Sequence, residues 1–189
     1  MTERHDPAAD PPRRRSRLRR GVGLGAAVLA LLLAPALVAL WQARDLPLIH
    51  DISTDTSDPP RFVAVLPLRA GAANPAGYDP AVAPLQRAAW PDLAPLDLPL
   101  PPAAALERAE RVARAMGWQI VAVVPAEGRL EATATTPLMR FKDDVVVRIV
   151  ARGDGSRVDV RSVSRLGVGD LGTNARRIRD FLARLAAPA

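Results

Sequence analysis

The sequence predicts an α+β fold: an antiparallel meander of about four strands flanked by two helices, preceded by a transmembrane helix and a proline-rich segment. Three observations support this class. Side chains alternate in character along residues 119–165, a glycine-rich turn separates two of the alternating runs, and an amphipathic helical pattern lies on each side of them. These features place the predicted α+β core at residues 101–187.

The predicted strands carry two different kinds of side chain on their two faces. Within residues 143–152 one alternate set is wholly apolar, namely Val145, Val147, Ile149 and Ala151. Residues 157–165 form the next strand, after the turn Gly153-Asp154-Gly155-Ser156, whose residues suit a tight hairpin. Residues 119–124 and 129–135 supply two more strands. The meander therefore has one apolar face and one face of charged and hydroxyl side chains.

Two amphipathic helices are available to cover the apolar face. Pro101 and Pro102 open the first, since proline suits an initial helical turn, and Gly117 closes it as a C-terminal cap. Thr173 is the predicted N-cap of the second helix. Their apolar stripes are Leu106, Ala109, Val112, Ala113 and Met116, then Ala175, Ile178, Phe181, Leu182 and Leu185.

The N-terminal part of the chain is typical of a membrane anchor. Residues 1–20 are an arginine-rich tail, and residues 21–41 are an uncharged stretch long enough to cross a bilayer. Because the positive charge lies before this stretch, we predict a single span with a cytoplasmic N-terminus and a periplasmic domain, in a bacterial inner membrane. Residues 21–41 would contact lipid directly. A cleaved signal peptide is the alternative, although its apolar core is usually shorter, ~7–15 residues.

Composition excludes several classes of function. The chain has no cysteine, so thiolate catalysis and cysteine-ligated metals are excluded. The excess positive charge lies mainly beside the apolar stretch, where it acts as a topology determinant and contacts anionic lipid. The rest of the chain is close to neutral, which argues against a nucleic-acid partner. We predict neither a cofactor nor a metal.

Residues 42–100 form a proline-rich segment between the anchor and the core. A structureless stretch of this length is uncommon in a compact domain unless it is functional or a linker. Phe62, Tyr78 and Trp90 are not typical of a linker. We therefore predict an extended segment that packs on the domain, with an edge strand near residues 61–66.

Several short motifs follow one another in a fixed order along the chain. They occupy residues 51–55, 58–62, 78–80, 90–93, 116–118, 131–136, 141–148, 158–165 and 169–172. In these motifs the sequence resembles the family catalogued as domain of unknown function 1499, over about residues 48–187. The resemblance implies a commonly membrane-attached domain that includes the proline-rich segment, and it implies no established activity. Residues 137–140 depart from the family pattern, which would place an aromatic pair before Phe141.

Candidate ligand-binding residues begin with a charged cluster at a strand start, Lys142, Asp143 and Asp144. The cluster could lie at the mouth of a pocket; the alternative is a solvated strand start with an ion pair to Lys142. Adjacent strand residues face opposite sides, so the two carboxylates are not expected to bind one metal together.

The second group of candidates lies on the charged face of the predicted meander, which we expect to be open. Arg148, Arg161 and Arg165 either pair with Asp159 and Glu131 in a ladder between strands or bind an anion. Ser162 and Ser164 are hydroxyls on the apolar side, and Asp170 lies in a glycine-rich turn before the second helix. The acidic residues between 51 and 58 suit either a hard cation or capped turns.

No nucleophile elbow is present, and the histidines are only His5 and His50. We therefore predict a membrane-anchored extracytoplasmic module that binds a small ligand, a lipid or an envelope protein, rather than an enzyme. Two alternatives stay open. One is an envelope enzyme with Asp143, Asp144 or Asp170 as acid or base, and the other is a scaffold in an envelope complex.

Overall fold

The computed structural model describes residues 46–188 together with Leu31, Ala34 and Val38. The predicted arginine-rich tail and all but three residues of the predicted anchor therefore lie outside the described residues. Leu46–Ala189 make up one compact unit. Among the described residues, no helix combines the length and the apolar character needed to cross a membrane.

Within residues 46–188 the domain consists of an antiparallel six-stranded sheet and three α-helices, which confirms the α+β class. The strands are β1 (Asp51–Ser53), β2 (Leu96–Leu98), β3 (Gln119–Val124), β4 (Arg129–Thr135), β5 (Lys142–Arg152) and β6 (Gly155–Ser164). The helices are α1 (Ala83–Ala89), α2 (Pro102–Ala115) and α3 (Thr173–Ala186). The strand order is β1-β6-β5-β4-β3, and β2 also pairs with β6.

The four strands of the predicted meander are all present and pair in sequence order. Two short strands from the proline-rich segment extend the sheet, because β1 and β2 both pair with the far side of β6. The predicted edge strand at residues 61–66 is wrong, since that stretch forms no strand. Three-residue strands are too short to show an alternating pattern, so their pairing was not visible in the sequence.

Helices α2 and α3 cover the apolar face of the sheet. Leu106 from α2 and Phe181 from α3 join one buried cluster with the sheet residues Leu130, Val147 and Val160. Trp118 stacks on Phe181 with a ring-centroid distance of 5.0 Å. Helix α2 begins after Pro101, as predicted, and Gly117 follows it with a left-handed φ of 75°.

The start of α3 differs from the prediction in one respect. Thr173 is the first helical residue, and Gly172 holds the N-cap position with a φ of 73°. Asp170 supplies the capping oxygens instead, by accepting hydrogen bonds from the backbone N–H groups of Gly172 and Asn174. The capping side chain therefore lies outside the helix, two residues before the N-cap.

The charged face of the sheet is covered rather than open, which corrects the prediction of an open face. Residues 54–79, here called the wrapping segment, run across it. Phe62 and Val65 of this segment form a small buried cluster with Val146 and Val163 of the sheet. The Glu131 carboxylate accepts hydrogen bonds from the backbone N–H groups of residues 63–65. The sheet is thus enclosed by helices on one side and by irregular chain on the other.

Candidate functional site

The candidate residues divide between the two faces of the sheet. Asp143 and Asp144 are adjacent on β5 and point to opposite sides, as the strand geometry predicts. Both carboxylates are buried, whereas Lys142 is exposed. The alternative of a solvated strand start paired with Lys142 therefore does not describe them.

On the wrapped face, Asp144 is the centre of a buried ion-pair cluster. Its carboxylate accepts hydrogen bonds from Arg69 at 2.6 Å, from Arg165 at 2.8 Å and from the Thr133 hydroxyl at 2.8 Å. Burial by itself would raise the pKa of Asp144, but the hydrogen bonds from Arg165, Thr133 and Arg69 outweigh it and lower that pKa. The cluster fastens the turn that contains Arg69 to the sheet.

Arg161 fastens another part of the wrapping segment. Its Nε and Nη2 donate to the two carboxylate oxygens of Asp51 at 2.8 and 2.6 Å. Nη1 and Nη2 also donate to the backbone carbonyls of Pro60 and Ala76. The guanidinium lies 5.0 Å from the ring centroid of Phe62 and 5.3 Å from that of Tyr78. Its hydrogen-bonding capacity is therefore used inside the fold.

Arg148 makes the cross-strand pair that the ladder hypothesis expects, with Asp159 of β6 at 3.1 Å. It also reaches Asp58 at 2.7 Å and Asp55 at 3.4 Å, both in the wrapping segment. Asp55 accepts backbone hydrogen bonds from Ser57 and Asp58, which is the capped turn expected as one alternative. Burial alone would raise the pKa of Asp55, but those backbone bonds and the nearby arginines lower it. Arg148 thus pairs with both the sheet and the wrapping segment. Arg161 and Arg165 make their ion pairs with the sheet residues Asp51 and Asp144.

On the helix-covered face, four candidate residues lie near the start of α3. Arg177 of α3 donates to Asp143 at 2.5 Å, and the Ser162 hydroxyl donates to Asn174 at 2.6 Å. Asn174 in turn donates to the Ser164 hydroxyl at 2.9 Å. Asn174 and Arg177 were not among the candidate residues. A sequence signal could have indicated them. Polar residues lie at the start of the apolar helical stripe, and they face serines on an apolar strand face.

Asp143, Ser164 and Asp170 line one small cavity of about 120 Å³, here called the strand-end hollow. Burial raises the pKa of Asp170, and the nearby Asp143 adds to the effect, while the two backbone N–H groups that it caps oppose it. An acid of this kind keeps its proton to a higher pH than an exposed aspartate. The hollow therefore brings together one carboxyl with a raised pKa, a second carboxylate and a hydroxyl.

A larger recess, here called the aromatic cleft, lies in the wrapping segment and has a volume of about 490 Å³. It is lined by residues that include Pro59, Arg61, Phe62, Leu66, Tyr78 and Arg161. The Tyr78 hydroxyl is buried and has no hydrogen-bond partner among the described residues. Burial raises the pKa of Tyr78, and the charge of Asp51 adds to the effect. Sequence reasoning missed this cleft because its walls come from irregular chain.

Among the described residues, no group of three or more histidine, cysteine, aspartate or glutamate side chains is positioned to hold a metal ion. The acidic residues between 51 and 58 pair with arginines or cap turns instead.

The described residues thus form a small α+β domain that carries a cleft of ligand size. The chain belongs to the family described as "Protein of unknown function (DUF1499)", whose model matches residues 51–185. This match confirms the family resemblance found in the sequence. No curated protein matches the chain.

Three solved structures are similar to about half of the chain at low identity. CalU16 from Micromonospora echinospora is 14% identical, with 50% of this chain and 74% of that chain covered and a TM-score of 0.36. Ara h 8.0201 is 13% identical, with 48% and 93% covered and a TM-score of 0.34. TTHA0849 from Thermus thermophilus is 14% identical, with 49% and 94% covered and a TM-score of 0.30. At these scores the similarity supports no conclusion about activity.

Proposed function

We propose that the chain is a membrane-anchored binding module on the periplasmic side of a bacterial inner membrane, and that its aromatic cleft takes a small amphipathic anion. The cleft is the observation that carries this proposal. Its volume of about 490 Å³ lies within the range of small-molecule sites, roughly 300–1,000 Å³. Its walls combine apolar side chains with arginine.

The cleft offers two kinds of contact to a ligand. Phe62, Leu66 and Tyr78 supply apolar and aromatic surface for a hydrocarbon or ring portion. Arg61 is exposed and makes no ion pair with any residue of the described domain. A guanidinium in this state suits a carboxylate or phosphate, to which it can donate two parallel hydrogen bonds. An acyl carboxylate or a phospholipid fragment has the matching chemistry.

The two arginines of the cleft have different roles in this proposal. Arg161 donates to Asp51, Pro60 and Ala76, so it builds the wall of the cleft. Arg61 has no such partner in the described chain and is the residue proposed to hold the anion. The anion role predicted for Arg148, Arg161 and Arg165 would require their ion pairs to open, and it stays a prediction.

Tyr78 supports the same location. A buried hydroxyl without a partner costs about 1–3 kcal/mol, and such groups are uncommon in folded proteins. A ligand oxygen that reaches this hydroxyl after a small shift of the wrapping segment would remove that cost. Ligand binding in the cleft should therefore also stabilise the wrapping segment.

Native mass spectrometry of the full chain, extracted gently from its own membrane, tests the proposal. We expect a retained acidic lipid or acyl compound with the wild type, and a clear loss of it with Arg61→Ala and with Tyr78→Phe. Arg152→Ala is the matched control, because Arg152 is exposed and pairs only with the exposed Asp97 among the described residues. Circular dichroism verifies that each variant is folded. Full retention by both cleft variants would refute the site, and an empty wild type would refute the binding function.

The strand-end hollow favours a second candidate, an envelope enzyme that uses Asp170 as a general acid. The specific observation is that burial and Asp143 raise the pKa of Asp170 beside the Ser164 hydroxyl. A screen of hydrolase and transferase substrates with the purified full chain tests it. Activity that Asp170→Asn removes and Arg61→Ala preserves would favour the enzyme over the binding module.

A further inference from the structure

Large apolar side chains are exposed together at one end of the domain. They lie in two loops, residues 137–141 between β4 and β5 and residues 166–171 between β6 and α3. Leu138 is 89% exposed, Met139 63% and Val168 76%. The loops are neighbours, because Asp143 pairs with Ser164 in the sheet and because Phe141 and Leu166 line the same hollow. Together with Leu48 they are called the loop end here.

The first described residues of the domain lie against these loops. The His50 Nδ1 is 3.4 Å from the carbonyl oxygen of Val168. A side chain at Gly169 would have its Cβ only 3.1 Å from the Cα of Leu48, so the two backbones are close together. Leu48 is itself 72% exposed. The chain therefore enters the domain at the loop end.

The sequence immediately before this entry point is the predicted anchor. Its last residue is Trp41, and only residues 42–45 separate it from Leu46. An extended chain advances at most ~3.6 Å per residue, so this connection reaches roughly 18 Å. With residues 21–41 in the membrane, as proposed above, so short a connection keeps the entry point of the domain close to the membrane surface.

Charge at the loop end also matches a lipid surface. Arg140 and Lys142 flank Phe141 in the first loop, and both are exposed. Neither makes an ion pair with any residue in the described part of the chain. Long basic side chains beside exposed apolar ones are typical of protein segments that lie in the membrane interface, where the cations meet anionic headgroups.

We propose that the loop end docks on the lipid bilayer, with Leu138, Met139 and Val168 inserted at the headgroup level and Arg140 and Lys142 facing anionic headgroups. The domain would then contact lipid through its folded part as well as through the anchor. This contact fixes which end of the domain faces the membrane. It does not depend on a ligand in the aromatic cleft.

Single-cysteine labelling tests this directly, because the chain has no cysteine of its own. Leu138→Cys and Val168→Cys would each carry an environment-sensitive fluorophore in the full chain, reconstituted in vesicles of phosphatidylcholine and phosphatidylglycerol. Asp154→Cys is the matched control, since the exposed turn between β5 and β6 lies at the opposite end of those strands. We expect blue-shifted emission and quenching by nitroxide-labelled lipids at 138 and 168, and quenching by aqueous iodide at 154.

Two outcomes would overturn the proposal. Iodide quenching at 138 and 168 equal to that at 154 would show that the loops face water. Protection from both iodide and nitroxide lipids would show that protein covers them, either residues 1–45 or a second copy of the chain. A thermal unfolding midpoint equal to that of the wild type verifies that each labelled variant is folded.

The basic residues give an independent measurement. Combining Arg140→Glu with Lys142→Glu should reduce nitroxide quenching at position 138 in vesicles that contain phosphatidylglycerol, and should leave the label at 154 unchanged. In vesicles of phosphatidylcholine alone, the charge reversal at positions 140 and 142 should change the quenching at position 138 by a smaller amount. If nitroxide quenching at position 138 is the same after the charge reversal and without phosphatidylglycerol, Arg140 and Lys142 do not contact the headgroups as proposed.

Discussion

The two faces of the sheet are buried by different physical means. On the helix side, the contacts of α2 and α3 are mainly apolar, with Leu130 and Phe181 in one continuous core. On the wrapped side, only a small apolar cluster is present among the described residues. The irregular chain is held there mainly by hydrogen bonds and ion pairs to charged side chains of the sheet, namely Asp144, Glu131 and Arg161. A helix satisfies its own backbone groups, whereas an irregular segment needs partners for them. The charged face of the sheet supplies those partners.

This difference explains why so many charged residues are buried in a small domain. The Glu131 carboxylate accepts from the N–H groups of residues 63–65, and the Arg161 guanidinium donates to the carbonyls of Pro60 and Ala76. Side chains of the sheet therefore pair with backbone N–H groups and with backbone carbonyls of the wrapping segment. Stability on this side should depend on pH and on keeping each charge paired, while the contribution of the apolar core on the helix side should depend on neither.

Asp144→Asn tests the wrapped side and carries the largest expected effect. The substitution leaves Arg69 and Arg165 close together without their shared carboxylate. Removing one partner of a buried ion pair costs about 3–5 kcal/mol. The loss should appear in the free energy of unfolding measured with urea at neutral pH. Asp92→Asn is the control, because its pair with Arg179 is exposed and should cost no more than about 1 kcal/mol.

The effect of Asp144→Asn should also depend on pH. Because the pKa of Asp144 in the folded protein is lowered, its contribution is present above the ordinary value of about 3.9 and is lost as the pH falls through the lowered value. The wild type and the variant should therefore converge in strong acid. A difference that stays constant down to the acid transition would contradict the ion-pair account.

Leu130→Ala tests the helix side and should cost about 2–5 kcal/mol, since the side chain is fully buried in the core and the substitution leaves a cavity. Urea unfolding at neutral pH and near pH ~3, below the ordinary aspartate pKa, should give the same loss, because no titrating group is removed. A loss that shrinks with acid, as expected for Asp144→Asn, would mean that the two faces do not differ in the way described.

The sequence predicted the helix side well and the wrapped side poorly. Strands β5 and β6 are long and alternate regularly, and Pro101 and Gly117 mark the ends of α2, so local signals were sufficient there. Strands β1 and β2 have three residues each, which is too few for a period of two. Their place beside β6 depends on contacts far apart in the chain.

The same reasoning applies to the candidate sites. The pairs Asp144–Arg69 and Asp51–Arg161 join residues 75 and 110 positions apart, and no local pattern announces them. The opposite orientations of Asp143 and Asp144 were predictable, because they follow from strand geometry alone. The aromatic cleft was not, since turns rather than helices or strands bring Arg61 and Tyr78 together.

Asp170 provides a second test of this comparison, because it is a half-buried carboxyl on the helix side. No arginine of the described domain contacts it through a hydrogen bond. Its pKa is raised by burial, whereas the arginines around Asp144 lower the pKa of that group. A group with a raised pKa contributes most below its ordinary value, and that contribution is lost as the pH rises through the raised value. The sign of the pH dependence should therefore be opposite at the two aspartates.

Asp170→Asn should have the smallest effect, less than about 1 kcal/mol, since asparagine caps helices nearly as well as aspartate. One amide oxygen can still accept from the N–H of Asn174 or of Gly172. The destabilisation should be largest in acid, where the wild-type carboxyl is neutral, and should shrink as the pH rises and this half-buried carboxyl ionises. Urea unfolding of both proteins between about pH 4 and pH 8 measures it. A loss that grows with pH would mean that the ionised carboxylate stabilises the start of α3, and that burial does not dominate at this end of the sheet.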